Sequence, residues 1–582
     1  MVLFEASEKR RIFHCIVIAA IAFCWYSLYY DLRINLHDEG YILYNVQRIM
    51  AGEIPYRDYK EVGYGVLWFY PIVLIFTIFG ESFNVMRIFQ FSIFGLTGML
   101  SFYIVDKMIR NRIIAYAAAI LILVFHARIY KALLPFSVVL SILVFTECQF
   151  SQKNKFIPFT TAGFATGVIS LIRPEHGYAS AFLLFVFALY AAVGERRMFS
   201  LHVFLRSLSY GCLGIVLAYL PLLLFGARYG FLKDFLWDQA RYGAYCVSLV
   251  LSSIFGDAGA LSGVPLTNRT RLPLADMMRS LRDFVAAVSA YGISAGVSTH
   301  YSVLRDFVTG VATYGSPVLL AAAGAGAFLA PRGQTPGTTL PDHIRHIGVI
   351  LISLSPVFFS FFSFQPALWH YVQVVPPLIL LYAVLTGKRL QYGRDGSRPL
   401  ARRALSVICV GGGAFLLFTV LPPINQNNLT FGPLTLSYSN ARLEIPSLVS
   451  SRMPAAELER ITSLLSALDR YTAPGDVIAV YPYTPGLYAL SGRKHFNRRL
   501  YIDDQVLASD PQWCEKEIKR FEDNPPKAVF ICNHPINRTE RSRFANWAKP
   551  VYEHVTARYR LVLTQADNEC GLYVLKGDEP RR

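Results

Sequence analysis

Long apolar runs constrain this chain more than any other feature of its sequence. About eleven of them are long enough, or nearly so, to cross roughly 30 Å of hydrocarbon as a helix. They cover residues 12–30, 88–105, 113–126, 133–149, 156–172, 178–193, 207–225, 311–330, 345–363, 371–386 and 404–421. Only 16% of the 582 residues are charged and 54% are hydrophobic, which is unlike a soluble globular protein. The sequence therefore predicts an α-helical polytopic membrane protein.

Basic residues between the runs predict the orientation of the chain. A further run at residues 65–80 is barely long enough to cross and contains Pro71. If it does not cross, the basic clusters near residues 9, 107, 153, 196, 332 and 388 share one face, which the positive-inside rule makes cytoplasmic. The short loops opposite then hold only Arg128, Lys131 and Arg173. We therefore predict a re-entrant or interfacial helix at 65–80 and a cytoplasmic N-terminus.

This topology divides the chain into two domains. Residues 1–424 form a transmembrane domain with outer loops at 31–87 and 226–310, and residues 425–582 lie on the outer face. In the second part an amphipathic pattern at 456–471 alternates with strand-like stretches at 476–481, 527–532, 559–564 and 572–575. We predict a small soluble α/β domain there. Its cysteines, Cys514, Cys532 and Cys570, leave room for one disulfide whose partners the sequence does not specify.

An adjacent carboxylate pair, Asp38 and Glu39, follows the first apolar run. With no opposite charge next to them in sequence, the two groups repel each other and the pKa of at least one is expected to rise, which suits a general base. A second interpretation explains the pair equally well. Asp is a good N-cap, and both charges favour the N-terminus of the helix that "GYILYNVQRIM" predicts.

Cations are unusually frequent in the same outer segment. Arg48, Arg57, Lys60 and Arg87 follow the carboxylate pair, and guanidinium groups bind phosphate well. The alternative for each is contact with lipid headgroups. "LIRPEHGY" and "LWHY" add polar side chains at two further outer loops, where an ion-paired helix cap or an interfacial hydrogen bond are the simpler explanations. Those residues are Arg173, Glu175, His176, His370 and Tyr371.

The centres of the apolar runs are nearly free of charge. A transporter or pump is expected to bury ionisable groups near the middle of the membrane, or to show paired broken helices. The net charge of +17 lies in short clusters between spans, which indicates membrane topology and not nucleic-acid binding. The polar chemistry is therefore predicted at the outer rim.

The order of the motifs resembles the membrane-embedded glycosyltransferases of the GT-C superfamily. The likeness is to the bacterial branch similar to protein O-mannosyltransferases and lipid A aminoarabinose transferases. It includes "HDEGYILYNVQRIMAGEIPYRDY", the aromatic stretch "YGVLWFYPIVLIFTIFGESFNVMRIF", "GVISLIRPEHG" and "HYVQVVPPLILL". The stretch "DYKEVGYG" departs from the family, in which a proline often precedes the aromatic helix.

The resemblance implies an inverting transfer of a sugar from a polyprenyl-phosphate donor. Asp38 would be the general base, with Glu39 orienting it or binding a metal. The donor phosphate would be bound by Arg48, Arg57, Lys60, Arg87 and Arg173. Substrate would be positioned by Tyr56, Asp58, Glu61, Glu175, His176, His370 and Tyr371. No cofactor is required, although a divalent metal is allowed.

The resemblance also implies partners and a location. The partners would be the lipid-linked donor, an envelope glycan, lipid or protein acceptor, and membrane lipids. The enzyme would lie in the inner (cytoplasmic) membrane, with its catalytic loops and C-terminal domain on the periplasmic side. Three alternatives stay open: a lipid-linked sugar flippase or transporter, a ligase or polymerase of lipid-linked oligosaccharides, and a non-catalytic scaffold.

Overall fold

A computed structural model describes most of residues 6–240 and 441–580. Within these ranges, residues 29, 60–63, 125–128, 151–155, 194–198, 238, 498, 505, 508–509, 536–539, 566–568 and 578 are not described. Between the two ranges only Ile379, Leu380, Ala383 and Val384 are described. The four predicted spans from 311 to 421 therefore lie outside the described residues.

All seven apolar runs predicted before residue 240 are helices. The helices of this part are α1 (Ala6–Ser27), α2 (Asp38–Met50), α3 (Tyr70–Phe79), α4 (Phe83–Ile109), α5 (Arg112–Val124), α6 (Leu133–Phe150), α7 (Phe156–Ile172), α8 (Pro174–Val193) and α9 (Leu201–Tyr229). Three segments are long and apolar enough to cross a membrane by length and composition: Arg10–Ser27, Phe83–Ile109 and Leu201–Tyr229. The chain is a mostly helical membrane protein. The total of eleven spans stays a prediction, because only the seven runs before residue 240 are described.

The ambiguous run at 65–80 folds as a short broken helix. A 3₁₀ turn at Val66–Trp68 precedes α3, and Pro71 lies in the first turn of α3, where its missing N–H costs no hydrogen bond. Ten residues at about 1.5 Å per residue rise roughly 15 Å, which is half the hydrocarbon thickness. The geometry agrees with the interfacial placement that loop charge predicts.

Glycines bring α7 and α9 into close backbone contact. Gly163 and Gly167 form a Gly-x-x-x-Gly pattern on α7, which allows transmembrane helices to approach closely. A Cβ added to Gly163 would lie 1.9 Å from the backbone oxygen of Gly211 on α9. A Cβ on Gly214 of α9 would lie 2.1 Å from the oxygen of Thr160. This interface therefore has no room for larger side chains.

The C-terminal part is the small α/β unit that the sequence predicts. Its elements are β1 (Arg442–Ile445), β2 (Val449–Arg452), α10 (Ala455–Tyr471), β3 (Val477–Tyr481), α11 (Gly486–Ser491), β4 (Lys494–His495), α12 (Trp513–Asp523), β5 (Ala528–Cys532), α13 (Phe544–Trp547), α14 (Lys549–Arg558), β6 (Tyr559–Gln565) and β7 (Cys570–Leu575). One sheet has the strand order β4-β3-β5-β7-β6, parallel among the first three and antiparallel for β7. A disulfide joins Cys532 to Cys570 across β5 and β7, and Cys514 is a free thiol.

The C-terminal unit is bound to the first outer loop by ion pairs and backbone hydrogen bonds. Asp31 is buried and accepts two hydrogen bonds of 2.8 Å from the guanidinium of Arg452. The backbones of residues 31–33 and Arg452 bond in both directions, at 2.6 and 2.7 Å. Arg33 donates to Glu457 at 2.8 Å. The outer loop and the soluble domain therefore form one packed unit.

Ion pairs also mark the opposite end of the helices. Arg11 donates to Asp106 at 2.9 Å, and Lys107 contacts Glu147 at 2.6 Å. These residues belong to or adjoin the basic clusters that the positive-inside rule makes cytoplasmic. The charged groups of the described helices therefore lie at their two ends, as the loop charges predict.

The glycine contact predicts a position-specific effect of one methyl group. We expect Gly163→Ala to lower the thermal unfolding midpoint of the purified protein, because overpacking a tight interface costs about 1–3 kcal/mol. Gly95→Ala on α4 is the control, since its Cβ would meet nothing closer than 3.9 Å. The control is expected to be neutral or slightly stabilising, because alanine favours helices. Equal midpoints for the two variants would contradict the close α7–α9 packing.

Candidate functional site

Asn35, and not Asp38, caps the N-terminus of α2. The Asn35 side-chain oxygen accepts from the backbone N–H groups of His37 and Asp38 at 2.9 and 3.0 Å. In return, the Glu39 carboxylate accepts from the backbone N–H of Asn35 at 3.0 Å. This reciprocal arrangement satisfies the first amides of the helix in the manner of a capping box. The interpretation of Asp38 as an N-cap is therefore wrong, because Asp38 is the first residue of the helix and not the residue before it.

The Asp38 carboxylate lies between a tyrosine and a lysine from distant parts of the chain. The Tyr483 hydroxyl donates to Oδ1 at 2.8 Å, and the Lys131 ammonium lies 3.4 Å from Oδ2. The side chain of Asp38 is 17% exposed and that of Lys131 is 8% exposed. The expectation that no opposite charge accompanies the carboxylate pair is wrong, because the fold brings one from the loop before α6.

Three outer loops meet around this carboxylate. Gly65 donates from its backbone to Ile172 at 2.9 Å, which joins the loop before α3 to the end of α7. The guanidinium of Arg173 lies 5.1 Å from the centre of the Tyr64 ring, and the Tyr41 ring lies 5.5 Å from that of Tyr64. The site is therefore a partly buried carboxylate with Tyr483 and Lys131 beside it, and Arg173 lies against Tyr64 on a neighbouring loop.

Glu39 and Arg87 form a buried ion pair whose groups are fully used inside the protein. The two side chains are 2–3% exposed and meet at 2.8 and 2.9 Å. Arg87 also donates to the backbone oxygens of Tyr30, Leu32 and Arg33. These contacts occupy all five of its N–H donors. The predictions that Arg87 binds donor phosphate and that Glu39 is a catalytic or metal-binding carboxylate therefore lose their support, and both residues position the loop.

Arg48 is buried beneath the soluble domain. Its side chain stacks at 3.7 Å on the ring of Tyr59 and donates to Glu53 at 2.8 Å. The terminal nitrogens Nη1 and Nη2 are buried without a hydrogen-bond partner. Only 3% of the Arg48 surface is exposed, and the side chain contacts Tyr59 and Glu53, so its role in phosphate binding stays a prediction.

Arg57, Asp58 and Tyr56 stabilise a surface turn. Arg57 donates to both oxygens of Asp58 at 2.7–2.8 Å, and Asp58 accepts from the backbone of Ile54. The hydrogen bond from Arg57, together with that from Ile54, lowers the pKa of the Asp58 carboxyl. Tyr56 is buried against Phe231 and Phe235. These contacts explain all three residues without a substrate.

The remaining predicted residues divide into two groups. His176 is 1% exposed and its Nδ1 lies 2.6 Å from the Ser137 hydroxyl, so it joins α8 to α6 inside the bundle and does not face a substrate site. The side chain of Glu175 and residues Lys60, Glu61, His370 and Tyr371 lie outside the part of the chain that the structure describes. Their roles stay predictions.

Tyr130 and Lys131 stand in a short outer loop that is a weaker candidate by sequence, whereas Tyr483 is not predicted at all. Tyr130 accepts from the Asn35 amide at 3.0 Å, and Tyr483 lies 445 positions from Asp38. A signal for Lys131 exists, since it is one of few cations in the outer short loops. The stretch "YPYTPGLY" around Tyr483 carries no charge or spacing that would distinguish it.

A cavity of about 320 Å³ lies between the first outer loop and the soluble domain, and Glu39 but not Asp38 is among its lining residues. Its walls include Asn35, His37, Tyr130, Thr484 and the Cys532–Cys570 disulfide. The Thr484 hydroxyl is buried there without a hydrogen-bond partner. This volume is at the lower end of the range of roughly 300–1,000 Å³ for small-molecule sites.

The described residues contain no group of three or more His, Cys, Asp or Glu side chains placed to bind a metal ion. Whether the reaction needs a metal stays a prediction made from the chemistry of the leaving group.

No protein-family model matches this chain, and no curated protein matches it. Solved structures do. The crystal structure of ArnT from Cupriavidus metallidurans bound to undecaprenyl phosphate shares 13% identity, covering 98% of this chain and 99% of that one, with a TM-score of 0.41. The oligosaccharyltransferase AglB from Archaeoglobus fulgidus, in complex with an inhibitory peptide and a dolichol-phosphate, shares 13% identity over 99% and 75%, with a TM-score of 0.45.

A further structure of the Archaeoglobus fulgidus oligosaccharyltransferase, with Zn and sulfate, shares 14% identity over 96% of this chain and 73% of that one, with a TM-score of 0.47. These neighbours belong to the same class of membrane glycosyltransferases that the sequence motifs resemble. TM-scores below 0.5 carry no argument about the reaction of this chain.

The buried Glu39–Arg87 pair predicts a large loss of stability when one partner is removed. We expect Arg87→Ala to destabilise the protein by about 3–5 kcal/mol, because it leaves a buried carboxylate uncompensated. The control is Arg57→Ala, which breaks an exposed ion pair that solvent screens, and little change is expected. Thermal unfolding of both variants in detergent checks this. A stable, well-folded Arg87→Ala protein would contradict the structural role.

His495 predicts a dependence of stability on pH. Burial, and then the charge of Arg48, lower the pKa of His495 to about 3, and its Nδ1 contacts the Tyr44 hydroxyl at 3.0 Å. The unfolded chain has the ordinary value near 6.5, so the stabilisation is complete above pH 6.5 and is lost as the pH falls. The thermal unfolding midpoint should therefore be lower at pH 5 than at pH 7.5.

His495→Asn should reduce this pH dependence, since it removes the group that gains a proton on unfolding. His202→Asn, at an exposed position on α9, is the matched control and should keep the dependence of the wild type. The same pH dependence in all three proteins would rule out His495 as its source.

Proposed function

We propose that the protein is an inverting glycosyltransferase, which moves a sugar from a polyprenyl-phosphate donor to an envelope acceptor at the outer face of the membrane. The observation that carries the proposal is the environment of Asp38. The Asp38 carboxylate is partly exposed at the start of α2, with Tyr483 and Lys131 beside it, and the neighbouring loops carry Tyr64 and Arg173. Such a group is suited to take a proton from a hydroxyl that attacks a sugar.

The proposed reaction is a single displacement. The acceptor oxygen forms a bond to the anomeric carbon while the bond from that carbon to the phosphate oxygen breaks. The acceptor proton passes to the Asp38 carboxylate, and the bonding electrons leave with the lipid phosphate. Because the leaving group is already an anion, it needs a cation and not a proton. One displacement inverts the configuration at the anomeric carbon.

We assign the phosphate to Lys131 and Arg173 in place of the other arginines. Lys131 lies 3.4 Å from the Asp38 carboxylate, and Arg173 lies over Tyr64 on the neighbouring loop. Arg48, Arg57 and Arg87 are engaged by Glu53, Asp58 and Glu39. A cation near the developing phosphate charge stabilises the transition state most effectively where water is scarce. The burial of Lys131 supports this assignment.

The distribution of charge disfavours the flippase alternative. In α4 to α9 the Asp, Glu, Lys and Arg residues lie in the first or last two turns, and the middle turns carry none. A transporter pathway is expected to place ionisable groups there.

A ligase or polymerase of lipid-linked oligosaccharides would use the same carboxylate and cations and differs in the donor. We place the site on the periplasmic side of an inner membrane because the basic clusters between the spans lie on the opposite face.

Asp38→Asn is the direct test of this function. The amide keeps the shape of the side chain and can still accept from Tyr483, but it cannot take a proton. We expect consumption of the donor to fall by about 10²- to 10⁴-fold. The measurement offers a panel of polyprenyl-phosphate sugars, with an envelope extract as acceptor, to the purified protein in nanodiscs and follows the donor.

Asp58→Asn is the matched control, since that carboxylate pairs with Arg57 on the surface turn. It should retain the activity of the wild type. No donor consumption by the wild type, or equal consumption by wild type and Asp38→Asn, would refute the proposed function and favour the flippase or scaffold.

A further inference from the structure

A short segment of the soluble domain docks on the first turn of α2. The backbone N–H of Gly486 donates to Leu36 at 2.8 Å, and the His37 Nδ1 contacts the Tyr483 carbonyl oxygen. The Tyr483 hydroxyl then donates to Asp38. Three hydrogen bonds therefore connect residues 483–486 to residues 36–38.

Close backbone packing fixes this contact in position. A Cβ added to Gly40 would lie 2.3 Å from the Cα of Gly486, and a Cβ on Gly486 would lie 2.7 Å from the Leu36 oxygen. Deeper in the interface, Tyr44 stacks on Tyr488 with ring centres 5.0 Å apart. The docking segment cannot shift along α2 without breaking these contacts.

Tyr483 is held as a neutral hydrogen-bond donor. Burial, and then the charge of Asp38, raise the pKa of Tyr483 well above its ordinary value of 10. The centre of its ring lies 6.2 Å from that of Tyr41 and 4.8 Å from that of Tyr501. Its hydroxyl donates to Oδ1 of Asp38 at 2.8 Å.

We propose that Tyr483 is a positioning residue, through which the soluble domain orients the Asp38 carboxylate and completes the active site. The inference rests on the proposed function and extends it from the membrane loops to the C-terminal domain. With Oδ1 held by Tyr483, the second oxygen, Oδ2, is left on the side of Lys131 to accept the proton of the attacking hydroxyl. The proton ends on Asp38, and Tyr483 keeps its own throughout.

The test compares Tyr483→Phe with the wild type, as full-length protein in nanodiscs, with the polyprenyl-phosphate sugar that the wild type consumes. The variant keeps the ring and loses the hydroxyl. We expect kcat to fall by about 10- to 100-fold, as for loss of a hydrogen bond to a charged group. The donor KM should change little, because Tyr483 does not contact the phosphate-binding cations. The acid limb of the pH–kcat profile should move to higher pH, because the hydrogen bond favours the ionised carboxylate.

Tyr501→Phe is the control for loss of a neighbouring hydroxyl. The Tyr501 hydroxyl donates to Asp503 at 2.9 Å, within the soluble domain. This variant should keep the kcat and the pH profile of the wild type. A drop in kcat without a shifted acid limb, or equal effects of the two variants, would indicate general damage to the domain and overturn the inference.

The outcomes separate the two proposals. If the wild type turns over and Tyr483→Phe matches it in kcat and pH profile, the positioning role is wrong and the proposed function stands. If the wild type consumes no donor, the proposed function fails and this role fails with it.

Discussion

The candidate site depends on one buried guanidinium. Arg87 leaves the first turn of α4 and holds both oxygens of Glu39 and the backbone oxygens of residues 30, 32 and 33. It thereby fixes the loop between α1 and α2 from inside. A buried ion pair contributes little net stability, but its hydrogen bonds are directional, and losing one partner is costly. The loop so fixed carries Asp31, to which the soluble domain binds, and Asn35, which caps α2. Asp38, at the start of α2, faces away from Arg87 and toward Tyr483 and Lys131.

The adjacent carboxylates Asp38 and Glu39 have opposite tasks because successive residues at a helix start face different directions. Glu39 faces Arg87 and is 2% exposed. Asp38 faces Tyr483 and Lys131 and keeps contact with solvent. In the sequence the two residues form one acidic pair, and the family resemblance places both in the catalytic site. The fold separates them into a carboxylate buried against Arg87 and a carboxylate that Tyr483 and Lys131 hold in contact with solvent.

The helices and the C-terminal strands could be predicted because hydrophobic periodicity and loop charge are local signals. The seven apolar runs before residue 240 are helices, and the strands at 477–481, 528–532, 559–565 and 570–575 lie within a few residues of their predicted bounds. The cations of the site could not be predicted in this way. Arg48, Arg57, Arg87 and Lys131 differ in which carboxylate the fold places next to them, and the sequence does not show that partner. Tyr483 is even harder to predict from the sequence, because the Asp38 carboxylate that it contacts belongs to the other domain.

The contact between Asp38 and Tyr483 joins two points 445 positions apart in the chain. During synthesis the membrane helices are inserted long before the C-terminal segment exists. A nascent or prematurely terminated chain would hold the Asp38 carboxylate and Lys131 but lack Tyr483, which donates to that carboxylate. The order of translation therefore delays the contact until the C-terminal domain has been made and has folded, so incomplete chains would remain without it.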